Sequence, residues 1–400
     1  MPNSSLPLIS VIVPVYRGRE LFASLLAGLR NQTLRNIEII LVDDCGDDGT
    51  FDIALAAAGE DPRIRCLHNE TNRGPGPSRN RGIEAARGEY IGFADADDII
   101  PPDYYRLLYD KARQTDALVV KGRRAARHAD GSITCSNTND GIREGLARAE
   151  TMLNLFTFEH TTGIYRNSLV QETGARNADA RQDEDTAFLC MLMGSVPPAR
   201  FALQEDAVYY YRKVETSLTH HLSASYFEES VKSMQFKLAH LMNLPDSEEV
   251  ARYAANLFEE RCSWRLSRMP EAPDMTDEQK EAYCAAVRTC VNTFVSRGRT
   301  LRRPGAGTAL VACGLPAQRV LSLLPRGPLP ASAPAFFSAV CSRAARAGRG
   351  TCRALLFKQA AYSLAVYSGH RVLAFFSKRH ASASSRHRSM LRLLMGMLAA

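Results

Sequence analysis

Within its first hundred residues the chain makes four short apolar runs separated by stretches of helical spacing, and this alternation restricts the fold more than any other feature. Leu8 to Val15, Ile37 to Val42, Ile64 to Leu67 and Tyr90 to Phe93 are too short for helices and carry β-branched or aromatic residues, so they read as strands. Leu21, Leu25 and Leu29 mark a helix between the first two, a second helix runs through Ala57, and Ser78 to Ala86 reads as a third. Such alternation predicts an α/β fold with a doubly wound, mostly parallel sheet, whose ligands gather where the strands end. Those ends carry acids: Asp43 and Asp44 follow the second run, and Asp95, Asp97 and Asp98 follow the fourth.

Asp95, Asp97 and Asp98 fall within four consecutive positions, and Pro101 and Pro102 stop the strand soon after. Close carboxylates repel by roughly 1 kcal/mol or more per pair in a partly wet site unless a cation or hydrogen bonds compensate. A hard divalent cation, Mg²⁺ or Mn²⁺, suits such a cluster and keeps positions open for substrate phosphates. An acidic turn capping the helix after Pro102 is the alternative. Two nucleotide-binding loops are excluded. No GxxxxGK[ST] occurs, and the Gly74 and Gly76 region is interrupted by Pro75 and Pro77 and lies away from the first βα turn.

Six ordered segments resemble inverting glycosyltransferases of family 2, which have the GT-A fold: SVIVPVY (Ser10 to Tyr16), LVDDCGDDGT (Leu41 to Thr50), NRGPGPSRNRGI (Asn72 to Ile83), GEYIGFADADD (Gly88 to Asp98), DEDTAF (Asp183 to Phe188) and YYYRKVETSLT (Tyr209 to Thr219). The resemblance implies that Pro14, Val15 and Tyr16 line a nucleotide pocket, that Asp44 meets base or ribose, and that Arg79 lies near the nucleotide. It also implies that Asp95 faces ribose or sugar, that Asp97 holds the metal with Asp98 seconding it or capping the next helix, and that Arg212 contacts phosphate. The catalytic base falls on Asp185, with Glu184 as the alternative. Either carboxylate could instead serve its helix's first turn, where the macrodipole favours acids. Asp43 caps its turn or joins the pocket. His220 and His221 are a surface pair or include a metal ligand.

The formal charge of +7 hides two unlike parts. Past Glu281 there is no Asp or Glu but 18 Lys or Arg, whereas residues 1–281 hold 32 basic against 43 acidic side chains. We expect a GT-A domain over 1–222, a helical appendage over 223–285 and a basic, acid-free helical tail over 286–400. Residues 123–150 lose periodicity and read as an acceptor-side loop. The tail is suited to an anionic membrane surface or a protein partner; nucleic acid is disfavoured because no RNA motif accompanies the charge. Ten scattered cysteines without metal spacing fit reduced thiols. No window reaches the about 18 apolar residues that a bilayer-crossing helix needs. The expected setting is the cytoplasm, peripheral to the inner face of the plasma membrane. The expected activity is transfer from a nucleotide-sugar donor, a UDP-sugar, to a glycan or lipid-linked acceptor in cell-surface polysaccharide synthesis. The competing reading is a GT-A scaffold that binds nucleotide or glycan without turnover.

Overall fold

The structure, a computed structural model, describes residues 6–128, 130–135, 159–192, 194–213, 222–247, 250–251, 253–254, 257 and 261–296. Strands β1 (Ile9–Val15), β2 (Ile37–Asp43), β3 (Ile64–His68) and β4 (Tyr90–Phe93) alternate with helices α1 (Arg19–Arg30), α2 (Thr50–Glu60) and α3 (Pro75–Ala85). Then come α4 (Tyr104–Thr115), β5 (Val119–Arg127), β6 (Ile133–Cys135), β7 (Gly163–Arg166), α5 (Asn167–Thr173), α6 (Glu184–Met191) and β8 (Phe201–Arg212). Three helices follow at α7 (Ala224–Asn243), α8 (Cys262–Arg268) and α9 (Asp277–Ser296). By contact the chain divides into two compact units, one of residues 1–221 with 228–244 and one of 222–227 with the chain from Pro245 onward.

The strands form one sheet in the order β3-β2-β1-β4-β7-β5-β6, with β8 also pairing with β5. β3, β2, β1 and β4 are mutually parallel. β7 runs antiparallel between β4 and β5, while β8 is parallel to β5. The sheet is therefore mostly parallel, as the strand and helix alternation predicts. Every residue of β2 is buried, and so is all of β1 except Pro14, the pattern of central strands covered on both faces. α1 lays Phe22, Leu25, Leu26 and Leu29 against this core. Gln32, with no exposed surface, ties the turn after α1 to the chain after β4. Its Nε2 donates to the Gly28 and Pro101 carbonyls and its Oε1 accepts from the Tyr105 amide.

The sequence expectation of a loop from residue 123 is corrected at its start. β5 continues to Arg127 and pairs with β6 and β8. Arg123 and Arg127 are exposed while Ala125 between them is buried, so the run of arginines conceals a residue that packs inward. Residues 136–150 of that expectation, and the segment 297–400 of the basic tail, lie outside the described residues. Among the described residues no helix is long and apolar enough to cross a membrane.

Candidate active site

The carboxyl ends of β1, β2 and β4 form one edge of the sheet, and the start of α6 joins them through Arg79. At β1 the side chains alternate. Val15 is buried in the core, Pro14 is half-buried, and Tyr16 is 44% exposed with the Arg17 guanidinium 5.2 Å from its ring centre. Of the three residues expected to line a pocket, Val15 therefore serves the core, and Tyr16 alone offers an open aromatic face.

At β2 both acids are spent on backbone. Asp43 accepts from the Cys45 and Gly46 amides and meets His68 Nδ1 at 2.8 Å. Asp44 accepts from Asn69 Nδ2, Ser78 Oγ and the Arg73 amide on one oxygen and from the Gly74 amide on the other. Beside the contact with base or ribose expected of it, Asp44 has a structural role. The carboxylate folds the Asn69 to Ser78 loop, placing the amino end of α3 and, one residue further, Arg79. Gly76 is required there because a Cβ would lie 2.1 Å from the Ala178 carbonyl oxygen.

Arg79 is buried, and its guanidinium makes two bonds of 2.6 Å, Nη1 to Glu184 Oε1 and Nη2 to Asp95 Oδ1. The paired acids hold it protonated against the desolvation that opposes its charge. The two acidic motifs, far apart in sequence, thus share one cation. Asp97 and Asp185 both lie within the electrostatic reach of that guanidinium. Arg79 is consequently engaged with protein carboxylates on both forks.

At β4 the three acids have different fates. Asp98 is buried, accepts from the Arg212 amide at 2.9 Å and from the Tyr209 hydroxyl, and is pushed well above the usual carboxylate range by burial and by Asp95 and Asp97. The Tyr209 hydroxyl also accepts from the Asp95 amide, so one oxygen links β8 to both acids. Asp98 therefore braces β8, beside the metal-seconding or helix-capping role expected of it. Arg212 is turned the same way, its Nε donating to the Asp97 carbonyl and its Nη2 to Ser24 Oγ. Its position beside the acids matches the expectation, but these two bonds hold its head. Asp97, half-buried, is raised to about 6 by burial and then by Asp95.

Among the described residues no three His, Cys, Asp or Glu side chains are grouped to hold a metal ion. The chemistry of the cluster still fits a divalent cation shared with substrate. Asp97 is destabilised in its charged form beside a second carboxylate, and a cation there would relieve both. His220 and His221 lie outside the described residues.

α6 begins at three acids with three duties. Asp183 takes a left-handed conformation that Asp tolerates, φ 56°, and its carbonyl accepts from Ser233 Oγ and Thr186 Oγ1. Glu184 is committed to Arg79. Asp185 Oδ1 accepts from the Thr186 amide, and its charge is felt by Arg79, Lys121 and Tyr165. Sequence reasoning missed two members of this neighbourhood. Lys121 is buried, with Nζ donating to the Glu159 carbonyl and the Tyr165 hydroxyl. His160 stacks on Phe93 at 4.1 Å. The signal available for the first was a lysine inside the apolar run ALVVKG.

Residues 10–174 match the family model described as Glycosyl transferase family 2. The chain is 41% identical over 222 residues to the glycosyltransferase GlyG of Streptococcus pneumoniae serotype 4, covering 53% of this chain and 72% of that protein. It is 46% identical over 114 residues to EpsH of Bacillus subtilis, of which it spans only 33%. It is 27% identical to the succinoglycan biosynthesis protein ExoO of Rhizobium meliloti, over 56% of this chain and 66% of that one. Among solved structures, S. aureus TarS 1-349 in complex with UDP-GlcNAc superposes with a TM-score of 0.61 at 20% identity, covering 78% of this chain and 88% of the other, a likeness of fold. The likeness to GlyG over most of its length, joined to a match that runs from β1 through the acids of β4, makes this chain a member of glycosyltransferase family 2 with the GT-A fold.

Proposed function

We propose that the chain catalyses metal-dependent, inverting transfer of a sugar from a UDP-sugar to a hydroxyl of a glycan or lipid-linked acceptor during cell-surface polysaccharide synthesis. The observation that carries this reading is Arg79, whose two 2.6 Å bonds draw the DADD acids and the start of α6 to one point. Asp185 is the base. It takes the proton of the acceptor hydroxyl as that oxygen bonds to the anomeric carbon, while the bond from that carbon to the donor diphosphate breaks and its electron pair leaves with the nucleoside diphosphate. Glu184 is disfavoured for this step because its carboxylate is already bonded to Arg79. Tyr16 supplies an aromatic face for the donor base. Asp97 holds Mg²⁺ or Mn²⁺, which when bound would offset the charge growing on the leaving diphosphate. Arg79 orients Asp95 toward the donor sugar or ribose, and Arg212 sits close enough to meet phosphate once its present partners are exchanged.

The UDP-sugar is favoured by the ligand of TarS, and the polysaccharide setting by the name of ExoO. The basic stretch 286–400, with no acid in it, supports contact with an anionic membrane surface and a peripheral site at the inner face of the plasma membrane. We propose residues 1–222 as the transferase domain, 223–285 as a helical appendage and 286–400 as the surface-binding tail.

The test is a screen of UDP-sugars with the purified chain and Mg²⁺ or Mn²⁺, scored by nucleoside diphosphate release beside Asp97→Ala and Asp185→Asn. Release by the parent chain that both variants lose is the expected result. Variants as active as the parent would defeat the assignment of the site, and silence of the parent with every donor would favour the non-catalytic binding role.

A further inference from the structure

The head of α6 is gripped from a helix that carries no motif. Glu229, Ser233 and Lys237 follow one another on α7 at intervals of four, a spacing that stacks side chains on one helix face, and all three meet the segment 181–183. Glu229 Oε2 accepts from the Arg181 amide at 2.8 Å, Ser233 Oγ donates to the Asp183 carbonyl at 2.8 Å, and Lys237 Nζ lies 3.8 Å from Asp183 Oδ2. Ser233 and Lys237 are fully buried. Phe236 of the same helix packs on Ala178, Ala180 and Ala187, which lie on either side of the acids. Residues 228–244 belong to the same compact unit as the sheet and α6.

Asp183 is what this grip holds. It stands at the N-cap of α6, where an aspartate normally accepts from the amides of the first turn. No such bond forms here. The carboxylate turns to Lys237 instead, and the backbone sits at φ 56°, a conformation that is unfavourable for an L residue and persists where its neighbours hold it. Burying an ammonium is equally unfavourable unless an anion meets it, and Asp183 does so. The Asp183 carbonyl anchors the helix: besides Ser233 Oγ it accepts from Thr186 Oγ1 at 3.0 Å and from the Ala187 amide at 3.3 Å. Asp185, whose Oδ1 accepts from the Thr186 amide, takes its place and direction from a residue that α7 fixes.

We infer that Ser233 and Lys237 are positioning residues for the transfer: from α7 they hold Asp183 at the head of α6 and so direct the Asp185 carboxylate at the acceptor hydroxyl. This rests on the reading of Asp185 as the base and adds to it the residues that aim that base. Neither side chain touches substrate. Both act through the backbone and carboxylate of Asp183. The transferase then depends on residues inside the stretch 223–285, which the sequence marks only as a helical appendage.

The experiment compares Ser233→Ala, Lys237→Met and Asp183→Gly in the full-length protein, with a donor found in the screen and with each rate referred to the folded fraction measured by urea denaturation. Glycine adopts φ 56° without strain, so Asp183→Gly removes the carboxylate while the backbone conformation stays accessible. Lys237→Met and Asp183→Gly should each lower kcat by roughly tenfold or more and leave the donor KM in place, because a small displacement of a reacting group is enough to slow the step that much. Combined, they should be no slower than the slower single variant, since both break one ion pair. Ser233→Ala should lower kcat by roughly threefold, the effect of one neutral hydrogen bond. Parent values of kcat per folded molecule in Ser233→Ala and Lys237→Met, even with stability lost, overturn the inference and leave the base reading intact if Asp185→Asn is silent. Losses that multiply in the combined variant overturn it too, because the lysine and the aspartate would then act separately. If Lys237→Met does not fold, Ser233→Ala and Asp183→Gly decide on the same terms. Full transfer activity in Asp185→Asn, or silence of the parent chain with every donor, defeats the base reading and takes this inference with it.

Discussion

The ends of β2 and β4 carry nearly the same letters, paired aspartates closing an apolar strand of the same parallel sheet, yet they are physically opposite. Asp43 and Asp44 are surrounded by donors: between them they accept from four backbone amides and from Asn69, Ser78 and His68. Asp95, Asp97 and Asp98 have Arg79, Tyr209 and the Arg212 amide, and the charge that remains falls on Asp97 and Asp98, both pushed upward. The first pair builds a loop. The second is left short of positive charge, which a cation can supply. What distinguishes the compensated acids from the uncompensated ones here is the supply of nearby N–H and O–H groups, not the number of carboxylates.

The sharpest way to break this comparison is to remove one acid from each end. Asp44→Ala removes four hydrogen bonds, three of them from the buried residues Asn69, Gly74 and Ser78, and should cost about 3 kcal/mol or more of stability, read by urea denaturation, because each unmade buried bond costs roughly 1–3 kcal/mol. Asp97→Ala should cost little stability and abolish transfer; equal destabilisation by the two would erase the distinction. Next in size, Asp97→Asn should raise stability at pH 7.5, on the order of 1 kcal/mol after solvent screening, by removing a disfavoured charge.

The pH dependence sharpens it further. The folded-state value of Asp97, about 6, lies above the ordinary 3.8, so its contribution to stability is present below about 4 and lost as pH rises through 6. Mg²⁺ or Mn²⁺ should therefore raise the melting temperature of the parent chain above pH 6 more than below it, and the shift should vanish in Asp97→Asn. The smallest expected effect concerns Lys121, where the sign reverses. Its folded value of about 7 is below the ordinary 10.5, so folding releases a proton in that window and stability gains as pH rises from 7 toward 10.5. Melting curves of Lys121→Met should lack this gain.

Much of the scaffold was legible because strands and helices have short periods. The four parallel strands, the placement of acids at their ends and the convergence of the DADD and DED segments all followed from patterns a few residues long or from the family likeness. The duties of individual acids did not. Asp44 and Asp97 are told apart by Gly74, Ser78, Tyr209 and Arg212, partners that the chain brings in from 30 to 115 positions away. Val15 was expected to line the pocket with Pro14 and Tyr16 from the family resemblance, but strand alternation turns Val15 inward as it turns Tyr16 out. The extension of β5 was hidden because Arg123, Arg124 and Arg127 are poor strand markers, although Ala125 between them is buried.

The double grip of Arg79 also limits how such a protein can change. A single guanidinium ties Asp95, after β4, to Glu184 at the start of α6, so a substitution that shifts one shifts the other. Tuning the preferred pH and tuning the choice of ion are then not separate adjustments. Variants selected for one would carry a correlated change in the other, and paired substitutions at Asp95 and Glu184 would be needed to release them.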